Sequence, residues 1–594
     1  MEQKHERLGN DDQPTDSSRK IEDNQPNTTT TTTPAERQTS LFHESQLCGE
    51  EQSDRASWLS ALFYGKQHGF GTWDGVFTTV VINTFGITVF LRSGWLVANA
   101  GVGEAMLVLL LGLLLAIVPV LSAIAICERC QIQNGGVFFL ISHVLGTKIG
   151  GTVGLIFILG QIIAGSMVAV GFGESMASLI HSNDEWVARA FALGASVLLL
   201  GVNVAGIKWV IRTQIALLCV LFLAIGDFVI GALATSKPDK GMIGISADNF
   251  ENNFKPDYGE GENFFTVFGV YFSTFTGILS GVNMSGDLKD PVKSIPLGEL
   301  AGLGVSVLLA LVFILSLGAV GERSALHNDI NFVQKVSLTG MLLLGGIYVS
   351  SLSAIINGLY VSPRLLQSIA AENVIAFMRP LQKGRGPNNE PIIATVLVAL
   401  LTVIFIFVGG FNLLAKIATL PYLTMYAFIN YSYFSLGMSF DLIQIQAQGA
   451  TKDYGSVYKL PQVETEPFPS PGTLQTAASE GKQQIMGKRK SWYSYITNRW
   501  IALIGAILNV VLIFFINWQC ALILLALFCM LYFYISRTNP CAYTGVSQFS
   551  IYDSIGLVFG KGEPTIKEKT MITHQPPTEV KTEITQVTGH DYAY

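Results

Sequence analysis

The chain has 594 residues, 50% of them hydrophobic and only 13% charged, with a mean hydropathy of +0.44. A soluble protein of this size carries about a quarter charged residues, so the composition argues against an ordinary soluble fold. The net charge of −6 offers no basic surface and points away from a nucleic-acid partner.

Residues 1–70 are polar and include the run Thr28–Thr33, with no apolar core of a cleavable leader; they read as a disordered cytoplasmic tail. A membrane span needs about 20 mostly apolar residues, and about twelve segments meet that length. They lie near 75–99, 104–126, 150–180, 187–206, 210–234, 264–286, 297–320, 337–370, 391–409, 413–437, 499–516 and 519–536. The runs are too long and continuous for barrel strands, so the expected fold is an all-α polytopic membrane protein. The stretch 438–498, with "EPFPSPG", reads as a cytoplasmic linker between a core at 71–437 and a last helix pair at 499–537; residues 538–594 read as a cytoplasmic tail.

Loop charges set the orientation. With both termini cytoplasmic, the inner loops hold Arg129, Lys148, Lys208, Arg212, Lys289, Lys293, Arg379, Lys383 and Arg385, while outer loops such as "HSNDEW" are short or acidic. The membrane is left open between plasma membrane and endomembrane.

The first span contains "VVINTFGITVFLR" (80–92), with Asn83, Thr84 and Gly86 at mid-depth. The sixth reads "VFGVYFSTFTGILSGVNMSGDLKDP" (267–291), with Ser273, Thr274, Thr276, Gly277, Ser280 and Gly281 at its middle. Small residues also allow close helix packing, which is the plainer reading of either span alone. Two interruptions five spans apart are the mark of a transporter built from two inverted five-helix repeats. A break frees carbonyls, which suit a cation, and N–H groups, which suit an anion.

Other chemistry is sparse. The seven cysteines form no disulfide framework, and Cys127 and Cys130 make one CxxC without a second ligand pair. No metal site, cofactor, phosphate-binding loop or hydrolase motif is expected, so the chain does not read as an enzyme and an ion gradient is the expected energy source.

"GTWDGVFTTVVINTFGITVFLRSGWLVANAGVG", "GGVFFLISHVLGTKIGGTVGLIF", "LAIGDFVIG", "TGILSGVNMSGDLKDPVKSIP" and "VSPRLLQSIAAENVIAFMRPLQKGRGPNNEP" resemble the cation–chloride cotransporters of the amino acid–polyamine–organocation superfamily. The likeness runs from about Gly69 to Asn430. The chain resembles the short divergent branch that lacks the large C-terminal domain. The resemblance implies a LeuT-like 5+5 inverted repeat with helices 1 and 6 broken. It implies a cation site from Asn83, Thr84, Ser273, Thr276 and Ser353. Chloride would meet the backbone of Gly86, Ile87 and Thr88, and a second chloride that of Gly277, Ile278 and Leu279 with the Tyr426 hydroxyl.

Some positions depart from the family pattern. Val168 stands where potassium-coupled members have a tyrosine, Ser273 replaces a proline, and Ser353–Ala354 replaces a serine pair. Arg92 and Glu174 match an extracellular gate pair, with interfacial snorkelling of Arg92 the plainer alternative. Asp74 and Asp287 stand at the cytoplasmic mouth where the family pairs a lysine with an aspartate; they read as solvated acids or as a cation site. Lys416 is a candidate anion attractor or a snorkelling residue, Asp227 a packing or polar-network residue, and His143 structural. The leading expectation is electroneutral symport of chloride with potassium and/or sodium by alternating access. A carrier of polyamine, amino acid or nucleotide-like solute, and a non-transporting modulator of other cotransporters, remain alternatives; a homodimer stays open.

Overall fold

The structure, a computed structural model, describes residues 70–130, 136–182, 184–205, 208–285, 288–372, 374–385, 390–453, 493, 496–538 and 545–547. Most of the expected tails, and the linker beyond Asp453 apart from its last residues, lie outside these residues.

Backbone groups have no water to bond in hydrocarbon, so long apolar runs close their hydrogen bonds within helices. Among the described residues the fold is helical, and the only strand-like pairings are isolated bridges. Eight helical stretches are long and apolar enough to cross a membrane. The first, Thr72–Cys130, comprises a π-helical turn at Thr72–Phe77, helix α1 (Thr78–Thr84) and helix α2 (Ile87–Cys130). It holds two of the expected spans, because α2 kinks at Gly101, where φ is 66°. A Cβ there would stand 2.4 Å from the Lys255 carbonyl oxygen, so only glycine admits this loop. The N–H groups of Val102 and Gly103, freed by the kink, donate to Asn253 O (2.8 Å) and Phe254 O (3.2 Å).

There follow α3 (Gly136–Leu145), α4 (Thr147–Leu179), α5 (Glu185–Ala205), α6 (Lys208–Ala234) and the short α7 (Ala247–Asn252). The second broken passage comprises α8 (Phe264–Phe272), a 3-10 segment at Ser273–Gly277 and α9 (Ser280–Asn283). Asn263 caps α8, accepting from Thr266 N at 3.0 Å. Next come α10 (Pro291–Val320), the short α11 (Arg323–Asn328) and α12 (Phe332–Val336), and α13 (Met341–Ala371). The last are α14 (Ile392–Ile406), α15 (Phe411–Asp453), α16 (Arg499–Ile516) and α17 (Trp518–Thr538). Among the described residues, each of the twelve expected spans overlaps a helix.

One boundary moves. Helix α15 runs on to Asp453, where a linker was expected from residue 438. The residues "LIQIQAQGA" at 442–450 are polar enough to suggest a loop, yet Leu, Gln and Ala are good helix formers, so propensity carries the helix onward.

Packing centres on the broken passages. Helix α10 lies against α2, α13 against α4 and α6, and α15 against α4 and α16. Phe85, the residue at the first break, sits edge-on to Phe90 (5.3 Å) and Phe313 (5.4 Å), and Phe313 stacks on Phe228 at 4.1 Å. This aromatic cluster ties the break to α10 and α6. Residues 545–547 dock on the end of α3: Val546 and Ser547 N–H groups donate to His143 O and Val144 O, carbonyls a helix end leaves open.

Candidate substrate site

The two breaks face each other. Helix α1 ends at Phe85 (φ −87°, ψ 64°), and the chain re-enters a helix at Ile87. The second passage tightens at Ser273–Gly277, turns through Leu279 and restarts at Ser280. Thr88 Oγ1 and Ser273 Oγ lie 3.2 Å apart, a direct hydrogen bond between the two broken passages.

A cavity of about 80 Å³ lies between them. Its wall includes Asn83, Thr84, Gly86, Ile87 and Thr88 from the first break and Ser273, Thr274, Thr276, Gly277, Leu279 and Ser280 from the second. Helix α4 contributes Gln161 and Val168, α13 contributes Ala354 and Asn357, and α15 contributes Tyr422. No described lining residue carries a formal charge. A water needs about 10–15 Å³ on such a measure, so this space suits a few waters, partly hydrated ions or a compact solute.

Polar atoms around the cavity are incompletely used. The hydroxyls of Thr84, Thr274 and Ser280 are buried with no protein hydrogen-bond partner. Leaving such groups empty costs free energy, so a site that supplies them with a ligand or water is the consistent reading. Asn83 is held from both ends: its Nδ2 donates to Thr79 O (2.8 Å), and its Oδ1 accepts from Asn357 Nδ2 (3.1 Å). Thr276 Oγ1 donates to Ser273 O at 2.7 Å and lies within hydrogen-bond reach of the Tyr422 hydroxyl across the cavity wall.

Not every anticipated residue lines this space. Ser353 is buried on α13, but the wall there is made by Ala354 and Asn357. Ile278 is buried beside the cavity without lining it. Tyr426 donates its hydroxyl to Phe275 O at 2.7 Å, fastening the second break, while Tyr422 faces the cavity one turn earlier. Gln161, Asn357 and Tyr422 were not singled out from sequence. Their signal was present: "ILGQIIAG" and "AIINGLY" each place a lone amide inside an apolar span, as "VVINTFG" does.

Above the first break, Arg92 Nη2 meets Glu174 Oε2 at 2.6 Å and Nε donates to Asn412 Oδ1 at 2.6 Å. The guanidinium lies 4.5 Å from the centre of the Phe411 ring, and Phe411 N–H donates to Glu174 Oε1 at 2.9 Å. Arg92 is 6% exposed, so it is enclosed by protein rather than snorkelling. On the same side, Lys416 is held by both carboxylate oxygens of Glu262 at 3.0 Å, which neutralises the charge proposed to draw anions. Asp227 accepts from Thr339 N and Oγ1, both 3.1 Å, in the polar-network role expected of it.

At the other end, Asp74 is exposed and caps its own turn through Gly71 N (2.8 Å). Asp287 lies outside the described residues. The entry to the first passage is tied to the exit from the second: Lys289 N donates to Phe70 O at 3.0 Å, and Thr79 Oγ1 to Met284 Sδ at 3.2 Å.

The family model described as amino acid permease matches residues 75–446. Solute carrier family 12 member 8 of Xenopus laevis is 46% identical over 402 residues, 68% of this chain and 56% of that protein. The human member 8 is 46% identical over 398 residues, 67% of this chain and 56% of its own. Human solute carrier family 12 member 2 is 31% identical over 519 residues, 79% of this chain and 39% of its own. The chain therefore spans little more than half the length of the curated relatives it matches first. With two broken helices enclosing a polar, uncharged cavity, the chain belongs to the amino acid permease family and, within it, to the cation–chloride cotransporters of solute carrier family 12.

Proposed function

We propose that the protein is an electroneutral symporter that moves chloride together with potassium and/or sodium by alternating access. The carrying observation is the neutral cavity between the breaks, which offers carbonyls, amides and hydroxyls to a cation and backbone N–H groups to an anion. A cation and an anion bound together leave such a cavity neutral, whereas one ion alone does not. Asn83, Thr84, Ser273 and Thr276 serve the cation. Gly86, Ile87 and Thr88 serve one chloride, and Gly277, Ile278 and Leu279 a second. Ser353 and Tyr426 act from behind the wall, Ser353 on a cation and Tyr426 through the Phe275 carbonyl. Arg92 and Glu174 form the outer gate, with both termini cytoplasmic as the loop charges indicate; Asp74 is a solvated acid at the inner mouth. The test is chloride-dependent rubidium uptake in cells expressing the full chain. Uptake no higher than in control cells, or uptake indifferent to chloride, overturns the reading.

A second reading rests on the amides. Val168 and Ala354 remove cation ligands, while Gln161 and Asn357 add donors and acceptors suited to a small neutral or zwitterionic solute such as an amino acid. The lack of a carboxylate or guanidinium among the described lining residues weighs against a polyamine or a nucleotide-like solute. Uptake of labelled amino acid that persists without chloride favours this second reading.

A further inference from the structure

Glu299 lies within α10 and is fully buried. Its Oε1 accepts from Val282 N at 2.9 Å, and the neighbouring Gly281 N–H faces the same carboxylate. Its Oε2 has no hydrogen-bond partner. Among the described side chains, the surroundings supply no balancing cation. On α2, Cys127 is within electrostatic range, Glu128 bonds the Tyr493 hydroxyl, and Arg129 lies over Tyr433 and Phe440. On α15, Tyr426 is within range and uncharged. Asp74, on the turn packed against α10, is exposed and engaged with Gly71 N. Asp227 of α6 bonds Thr339, Asp248 and Glu251 belong to α7 in the loop region, and α1 and α9 carry no ionisable side chain.

An unpaired carboxylate is among the costliest groups to enclose in a membrane interior, and such residues mark functional sites by default. The place it occupies gives it something to respond to. Val76, on the turn before α1, lies where a Cβ on Gly281 or Gly298 would be, 2.4 and 2.6 Å from its side chain, so the lower half of the first passage is wedged against α9 and α10. A Cβ on Gly281 would also stand 3.0 Å from Glu299 Oε1. The carboxyl therefore sits at the junction where the lower halves of both broken passages meet α10.

We propose that Glu299 is a proton-binding site of the transport cycle. Its carboxylate takes a proton from water at the inner mouth as the two lower halves close and returns it there when they part, so that closure of the inner half depends on pH while no net proton crosses the membrane. The burial in this closed arrangement is that of a neutral acid. Parting the halves breaks the Val282–Glu299 hydrogen bond, admits water and lets the carboxylate ionise. The site itself stands on this geometry alone; its link to flux rests on the alternating-access reading above.

The test uses the full chain in lipid nanodiscs and in proteoliposomes. Infrared spectra at neutral pH should show a buried carboxylic-acid carbonyl band that Glu299→Gln removes; Glu299→Asp, which keeps a carboxyl, should shift it if Glu299→Gln fails to fold. In proteoliposomes, rubidium chloride uptake is followed as the buffer pH is varied. Its rate should vary by up to about tenfold per pH unit in wild type and less than about twofold in Glu299→Gln. No band assignable to residue 299 overturns the proposal whatever the flux. Uptake with the same pH profile in both proteins overturns the proton linkage and leaves the symporter reading standing. A band lost in Glu299→Gln without rubidium chloride flux supports the proton site and overturns the symporter reading instead.

Discussion

Gly277 and Asn83 touch backbone to backbone. A Cβ on Gly277 would stand 2.6 Å from the Asn83 Cβ and 2.7 Å from its carbonyl carbon and oxygen. The two breaks can approach this closely only because one of the facing residues has no side chain, and that approach is what encloses the cavity. Gly277→Ala should prise the passages apart, with an overpacking cost of about 1–3 kcal/mol. Rubidium or amino-acid uptake should fall at least tenfold while surface expression persists; unchanged uptake would show that the contact is incidental.

The Arg92–Glu174 pair is enclosed and reinforced by Asn412 and Phe411. Removing one partner of such a pair leaves the other buried without compensation, a cost of about 3–5 kcal/mol for a fully buried pair. Arg92→Glu should strongly impair uptake without abolishing membrane insertion, and Arg92→Glu with Glu174→Arg should recover part of it. Normal uptake by the single variant would remove the gate role.

Asn357 holds the Asn83 side-chain oxygen at 3.1 Å. Asn357→Ala leaves that oxygen free to turn, at a cost of about 1–3 kcal/mol for a lost partner at a buried polar group. Apparent substrate affinity should weaken by about 5- to 150-fold, measured as the half-saturating concentration of the transported cation or solute. An unchanged value would remove Asn357 from the site.

Val168 occupies the cavity wall without offering an oxygen. Val168→Tyr supplies a hydroxyl there. If the cation site is that of a potassium-coupled cotransporter, rubidium uptake should rise several-fold. A loss of amino-acid uptake without a gain in rubidium uptake would point to the second reading.

Glu372 follows the end of α13, and burial pushes its carboxyl from 4.5 up to about 7. The folded state thus holds this proton more tightly than the unfolded chain. Its contribution to stability is complete below pH 4.5 and is lost as pH rises toward about 7. The thermal midpoint of the purified protein should drop between pH 5 and pH 8. Glu372→Gln should flatten that drop, and an equal drop in both proteins would assign it to other groups.

Much of this was legible in the sequence, and the limits have physical causes. The breaks were visible because polar and small residues, Asn83 and Gly86 in one span and Ser273 and Gly277 in another, cluster at the middle of two spans five apart. Arg92 and Glu174 stood out as charges within apolar runs. Gln161 and Asn357 carry the same polar signal but sit in helices that do not break, so nothing in their own segments distinguished a cavity-facing amide from one packed between helices. Whether Tyr422 or Tyr426 faces the cavity is decided by how α15 turns against the second break, a rotation no single helix encodes. Lys416 read as a free charge because its partner, Glu262, lies in a distant loop.

Helix α15 joins features described separately. At its first residue, Phe411 N–H holds the gate carboxylate; Tyr422 forms cavity wall; Tyr426 fastens the second break; and Asp441 pairs with Arg499 of α16. Its 43 residues make a strut about 65 Å long at 1.5 Å per residue. Pro421 interrupts its hydrogen bonding beside the cavity, where it packs on Gly160. Pivoting there by about 10° would swing each end by several ångströms, given that length. One tilt would thus loosen the gate at one end and load the α16 contact at the other, a mechanical linkage by which events at either face of the membrane are felt at the opposite one.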